Sequence, residues 1–75
     1  MEKNTAEQLL IRIFAEEGGA EGAQLSPETE IDSLDIDSLD FLCILTRVRD
    51  EIGPIDTRIA VTKKTIGELA QAILN

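Results

Sequence analysis

Seventy-five residues carrying 15 acidic and 7 basic side chains, for a net charge of −8, make one small domain near the lower size limit for folding without staples. The single cysteine excludes an intramolecular disulfide and a cysteine-cluster metal site, and the negative charge disfavours nucleic acid and anionic membrane surfaces as partners. With 43% apolar residues but two Phe, no Trp and no Tyr, the core is expected to be aliphatic.

The N-terminal stretch MEKNTAEQLL is helical and charged, and no apolar run is long enough for a signal peptide or a membrane span. The expectation is therefore a free-standing, monomeric, cytoplasmic domain covering residues 1–75. A first helix is predicted over about residues 5–16. Ala6, Leu9, Leu10, Ile13 and Phe14 follow helical spacing, Thr5 with Gln8 offers a capping box, and Gly18-Gly19 is the stop. A connection of about twenty residues without regular structure follows, reaching residue 37. Leu25, Ile31, Leu34 and Ile36 are expected to pin it to the core, and loops of this length in small domains tend to be functional.

The second helix is predicted to begin at Asp37 or Ser38 and to run to Ile52, ended by Gly53-Pro54. Its core stripe is Phe41, Ile44, Leu45, Val48 and Ile52, with Leu39, Leu42, Thr46 and Arg49 on a neighbouring sector. A short third element is predicted over residues 55–60. The last helix has a T-x-x-E box at Thr65 and Glu68 and an apolar stripe of Ile66, Leu69, Ala70, Ile73 and Leu74. Three amphipathic helices and a short one bury their stripes only against each other, which predicts an all-α four-helix bundle with a long loop between the first two helices.

Residues 32–39 read DSLDIDSL, the same tripeptide twice. Ser33 is still in the loop, whereas Ser38 falls in the first turn of the second helix, where free amides and the helix dipole favour an attached anion. Asp37 is a natural N-cap. The plain alternative is that both copies are ordinary helix-start sequence, since Ser and Asp suit N-termini; the long pinned loop before Ser38 argues for more than that.

LDIDSLDFLCIL, the loop before it and the closing TIGELAQAIL resemble an acyl carrier protein of the phosphopantetheine-binding family, over nearly the whole chain. The resemblance implies that Ser38, with Asp37 and Leu39 as its motif, carries 4′-phosphopantetheine through a phosphodiester. The thiol of that arm would hold acyl groups as thioesters. It further implies a phosphopantetheinyl transferase that installs the arm from coenzyme A, and acyl-transferring or acyl-activating enzymes that dock through basic patches. No histidine is needed on the carrier, because the modifying enzyme supplies the base.

Leu39, Asp40, Leu42, Thr46 and Arg49 are the expected partner-binding residues; for Leu39 and Leu42 the plain alternative is that the long loop covers them. In the resemblance this helix is acidic, whereas here Arg47 and Arg49 interrupt its charge and Cys43 and Thr46 are neutral. Asp35, where the family often has glycine, and the unusual EIGPID depart from it as well. These departures suit a dedicated fatty acid, polyketide or related lipid pathway better than general fatty acid synthesis. An amino-acyl carrier shares the same anchoring serine, and a small helical adaptor without a prosthetic group explains the composition but not the motif. Catalysis is not expected from a chain without histidine, tyrosine or clustered cysteine, and with little room for a substrate pocket. The acidic run fails as a calcium loop, since leucines stand where oxygen ligands are required. Cys43 beside Asp50 has no reason to be activated.

Overall fold

The computed structural model describes residues 2–18, 25–34 and 36–74. Within them the chain is all-helical: α1 Lys3–Gly18, α2 Ser38–Glu51, α3 Thr57–Ala60 and α4 Ile66–Leu74, with a 3₁₀ turn at Ile31–Ser33. α1 packs against both α2 and α4, and the short α3 lies against α4. The expected four-helix bundle is what forms.

The core is the meeting of the predicted stripes. Leu10, Ile13 and Phe14 of α1, Ile44 and Val48 of α2, and Ile66 and Leu69 of α4 are its largest fully buried side chains. Their cohesion is the main source of stability, and removing one such side chain costs about 2–5 kcal/mol in a chain that folds by roughly 4–11 kcal/mol in all. Ile11 is buried where Leu9 was expected, and Leu9 is only half-buried. On α2, Phe41 and Ile52 line the margin of the core rather than its centre.

The start of α1 departs from expectation. The helix begins at Lys3, and the Ala6 amide donates to the Glu2 carbonyl at 3.0 Å, so Thr5 is already inside the first turn and the Thr5–Gln8 capping box has no terminus to cap. Gly19, the second half of the expected stop, and Asp35 lie outside the described residues.

The connection into α2 is more ordered than its composition suggests, in its described part. Backbone bonds tie it to the head of α4: Ile31 donates to the Lys64 carbonyl at 2.7 Å, Ile66 to Thr29 at 3.2 Å and Gly67 to Pro27 at 2.8 Å. An isolated antiparallel bridge pairs Glu30 with Thr65. The loop carbonyls thereby satisfy first-turn amides that α4 leaves without intrahelical partners. The Glu68 amide is satisfied by Thr65 Oγ1 at 3.1 Å, while the Thr65 hydroxyl lies 3.2 Å from Glu68 Oε2, so the box predicted there forms. Leu25 and Ile31 are buried as expected, and Leu34 and Ile36 pack half-buried against the core.

Gly67 is required by this contact. A Cβ there would stand 3.0 Å from the Pro27 carbonyl oxygen, which is itself the acceptor of the Gly67 amide. In Gly67→Ala, an overpacking cost of about 1–3 kcal/mol competes with a helix-propensity gain of about 0.5–1 kcal/mol. Urea denaturation is expected to show a net loss of stability, and a variant at least as stable as the parent contradicts the close approach.

Candidate functional site at the head of the second helix

Asp37 has extended backbone geometry and its Oδ1 accepts from the Asp40 amide at 2.8 Å, so it is the N-cap of α2. Ser38 is the first helical residue, and it is exposed. The three serines differ in what their hydroxyls do. Ser33 Oγ donates to the Glu30 carbonyl at 2.6 Å and closes the 3₁₀ turn, a structural task for which the sequence gave no signal. Ser26 Oγ lies 3.4 Å from Thr29 Oγ1 and accepts from the Glu28 amide at 3.3 Å. Ser38 Oγ has no hydrogen-bond partner among the described residues, and it stands where amides and dipole favour an anion.

Beside Ser38 opens a recess of about 270 Å³, with Leu34, Ile36 and Phe41 as apolar walls, Val61 across from α2, and Asp37 and Lys63 among its polar groups. Its size lies at the lower end of small-molecule sites, somewhat more room than the composition led one to expect. Leu39 is 73% and Leu42 50% exposed, so the loop does not cover them. Asp40 is half-buried, and Thr46 and Arg49 are exposed along the same helix. Thr46 donates its hydroxyl to the Leu42 carbonyl at 2.9 Å. Cys43 is an exposed free thiol, and no cluster of potential metal ligands exists among the described residues. None of the described helices is long and apolar enough to cross a membrane.

Arg47 corrects the expectation that two arginines interrupt the outer charge of α2. Its guanidinium reaches back to α1, bonding to Glu16, lying 3.3 Å from Glu17, and pairing with Glu51 one turn on at 2.7 Å. Arg12 joins Glu51 from the α1 side at 2.9 Å. Arg47 is therefore part of the α1–α2 seam, and Arg49 alone brings positive charge to the outer sector. The signal that could have revealed this is the Glu16-Glu17 pair at the end of α1, but the partners are about thirty residues apart and only the packing unites them.

Residues 8–73 match the family described as phosphopantetheine attachment site. The chain belongs to this carrier family. Its members bear 4′-phosphopantetheine covalently on a serine, and the domain is a carrier of acyl groups rather than a catalyst. Such carriers work with transferases and acyl-handling enzymes. Over 63 residues the chain is also 40% identical to a non-reducing polyketide synthase of Aspergillus flavus, an alignment covering 83% of this chain and 3% of the synthase. No solved structure matches.

The ion pairs set a pH dependence. The hydrogen bond from Arg47, then its charge and that of Arg12, hold the Glu51 carboxyl below its ordinary range, and the Arg58 side chain and amide do the same for Asp56. A carboxyl depressed in the folded state binds fewer protons there than in the unfolded chain. Its contribution is thus present above the ordinary carboxylate range of about 4 and is lost as pH falls through the folded value. Acidification also relieves repulsion among the 15 acids, so the informative quantity is a difference between variants. Arg47→Gln is expected to have a lower Tm at neutral pH, with the gap to wild type narrowing in high salt and again at about pH 3. A gap that is absent at neutral pH, or insensitive to both, removes the network from the account.

Proposed function

We propose that Ser38 is the attachment point of the arm, and that residues 1–75 act as one carrier unit for acyl intermediates of a dedicated polyketide or related lipid pathway. The observation that carries this reading is the state of the three hydroxyls: those of Ser26 and Ser33 are engaged by their own loop, while that of Ser38 is exposed and unengaged at a helix N-terminus. The group fits this position. A phosphodiester there meets first-turn amides and the positive end of the α2 dipole, and Asp37 holds that turn in place by capping the Asp40 amide. When bound, the arm supplies a thiol that holds the acyl group as a thioester.

The carrier's residues have positional tasks. Ser38 gives up its hydroxyl proton to the modifying enzyme as the Oγ–phosphorus bond forms. The recess lined by Leu34, Ile36, Phe41 and Val61 offers partial shelter next to that bond for the arm or a short acyl chain. Leu39 and Leu42 present apolar surface to incoming enzymes, and Asp40 suits a basic patch. The polyketide assignment is supported by the printed name of the Aspergillus flavus relative, and the dedicated character by Arg49, Thr46 and Cys43 on a helix that general carriers keep acidic.

Incubation with coenzyme A, magnesium and a phosphopantetheinyl transferase of broad specificity, followed by intact mass measurement, tests the site. Wild type and Ser33→Ala are expected to gain one phosphopantetheine, and Ser38→Ala none. A Ser38→Ala chain that still gains it overturns the assignment. For the pathway, general fatty acid synthesis enzymes are expected to elongate the acylated protein poorly compared with their own carrier. Efficient elongation contradicts a dedicated role.

A further inference from the structure

Among the described residues, the exposed large apolar side chains are Leu39, Leu42, Ile59 and Val61, and all four lie on α2 or on α3 and its C-cap. Apolar side chains gathered on one side of a small carrier mark a surface that other proteins cover. Farther along α2 from Ser38 is a recess of about 280 Å³, lined by Leu42, Leu45, Thr46, Arg49, Ile55 and Thr57. With its hydroxyl bonded to the Leu42 carbonyl, Thr46 presents mainly its methyl group there.

Charge divides this side of the bundle. Residues 49–64 hold four of the seven basic side chains and three of the fifteen acids. Two of those acids are engaged, Glu51 by Arg47 and Arg12, and Asp56 by Arg58. Arg49, Lys63 and Lys64 have no ion pair among the described residues, and the Arg58 side chain is 91% exposed despite its local partner. At the other end, Asp37 and Asp40 stand beside Ser38. One face therefore runs from negative at the head of α2 to positive at its far end and α3, in a chain that is otherwise strongly acidic.

We propose that this face is a bipolar docking surface whose positive end takes a protein partner presenting carboxylates around an apolar side chain. The apolar group enters the recess between Leu42 and Ile55, and Arg49 at its rim takes a carboxylate, for which a guanidinium is suited by its paired donors. The proposal rests on the carrier reading and adds the chemistry of the partner to it. Opposed charges at the two ends admit a partner in one orientation, the one that directs Ser38 and its cargo toward the partner's reaction centre, and they reject uniformly basic surfaces. Anionic lipid is the less favoured occupant, because the net charge of −8 repels it from every other side.

Nitrogen-15 labelled full-length chain, before and after loading with the arm, is titrated with a peptide of alternating glutamate and leucine pairs, and separately with its counterpart in which lysine replaces every glutamate. The glutamate peptide is expected to shift the amides of Leu42, Arg49, Ile55 and Thr57 in a salt-sensitive manner, and the lysine peptide to leave them in place. Arg49→Glu is expected to weaken the glutamate peptide about tenfold or more, and Leu42→Ala to weaken both its binding and the shifts at Ile55. Equal shifts with the lysine peptide, an unaffected Arg49→Glu, or stronger shifts of the same amides by phosphatidylglycerol vesicles overturn the proposal. Mass measurement of the loaded sample separates the two readings. A chain that never gains the arm sinks the carrier assignment while leaving the peptide result to stand, and normal loading without peptide binding sinks the docking proposal alone.

Discussion

The structure depends on a short backbone exchange between the long connection and the head of α4. Pro27 and Thr29 lend carbonyls to Gly67 and Ile66, and Lys64 lends its carbonyl to Ile31. In a chain of 75 residues, ordering a connection of this length costs about 1–2 kcal/mol per residue in backbone entropy, and few local contacts are available to offset it. The exchange meets that cost by satisfying groups on both partners that would otherwise be left open. It also anchors the 3₁₀ turn, from which Leu34 and Ile36 run over the core to Asp37, so the point at which α2 begins is set by α4.

From that anchoring follows the character of the site. Ser38 is held at a fixed place and its hydroxyl is left idle, next to a recess whose far wall, Val61 and Lys63, comes from the segment just before α4. The same segment that clamps the loop thus completes the surroundings of the proposed attachment serine. Charge is arranged with the same economy. Arg12 and Arg47 are turned inward to the α1–α2 seam by Glu16, Glu17 and Glu51, so the outer side of α2 keeps Asp40 near the serine and Arg49 far from it.

What could be read from the sequence was what depends on near neighbours. Asp37 as a cap, the Thr65–Glu68 box and the apolar stripes of α2 and α4 are all relations within one or two helical turns, and each appears in the fold. The Thr5–Gln8 box failed for a local reason as well: the helix extends two residues further back, and a capping residue inside a helix has nothing left to cap. The features that stayed hidden are those between distant segments. Arg47 looked like a surface charge until α1 packed against it, Ser33 looked idle until the loop folded into a turn, and the recess beside Ser38 exists only because Val61 and Lys63 come to face α2. No period in the sequence encodes such meetings, because each is the product of how whole helices lie on one another.

The central claim is that, of three serines, the fold leaves one hydroxyl available for a tethered phosphate. It is tested most directly by fragmenting the loaded protein in the mass spectrometer and locating the added group along the chain. The account predicts the added mass on fragments that contain Ser38 and on none that end before it. Finding it at Ser33 or Ser26 would contradict the account, because it would mean that a hydroxyl already committed to its own loop had been modified while the unengaged one was passed over.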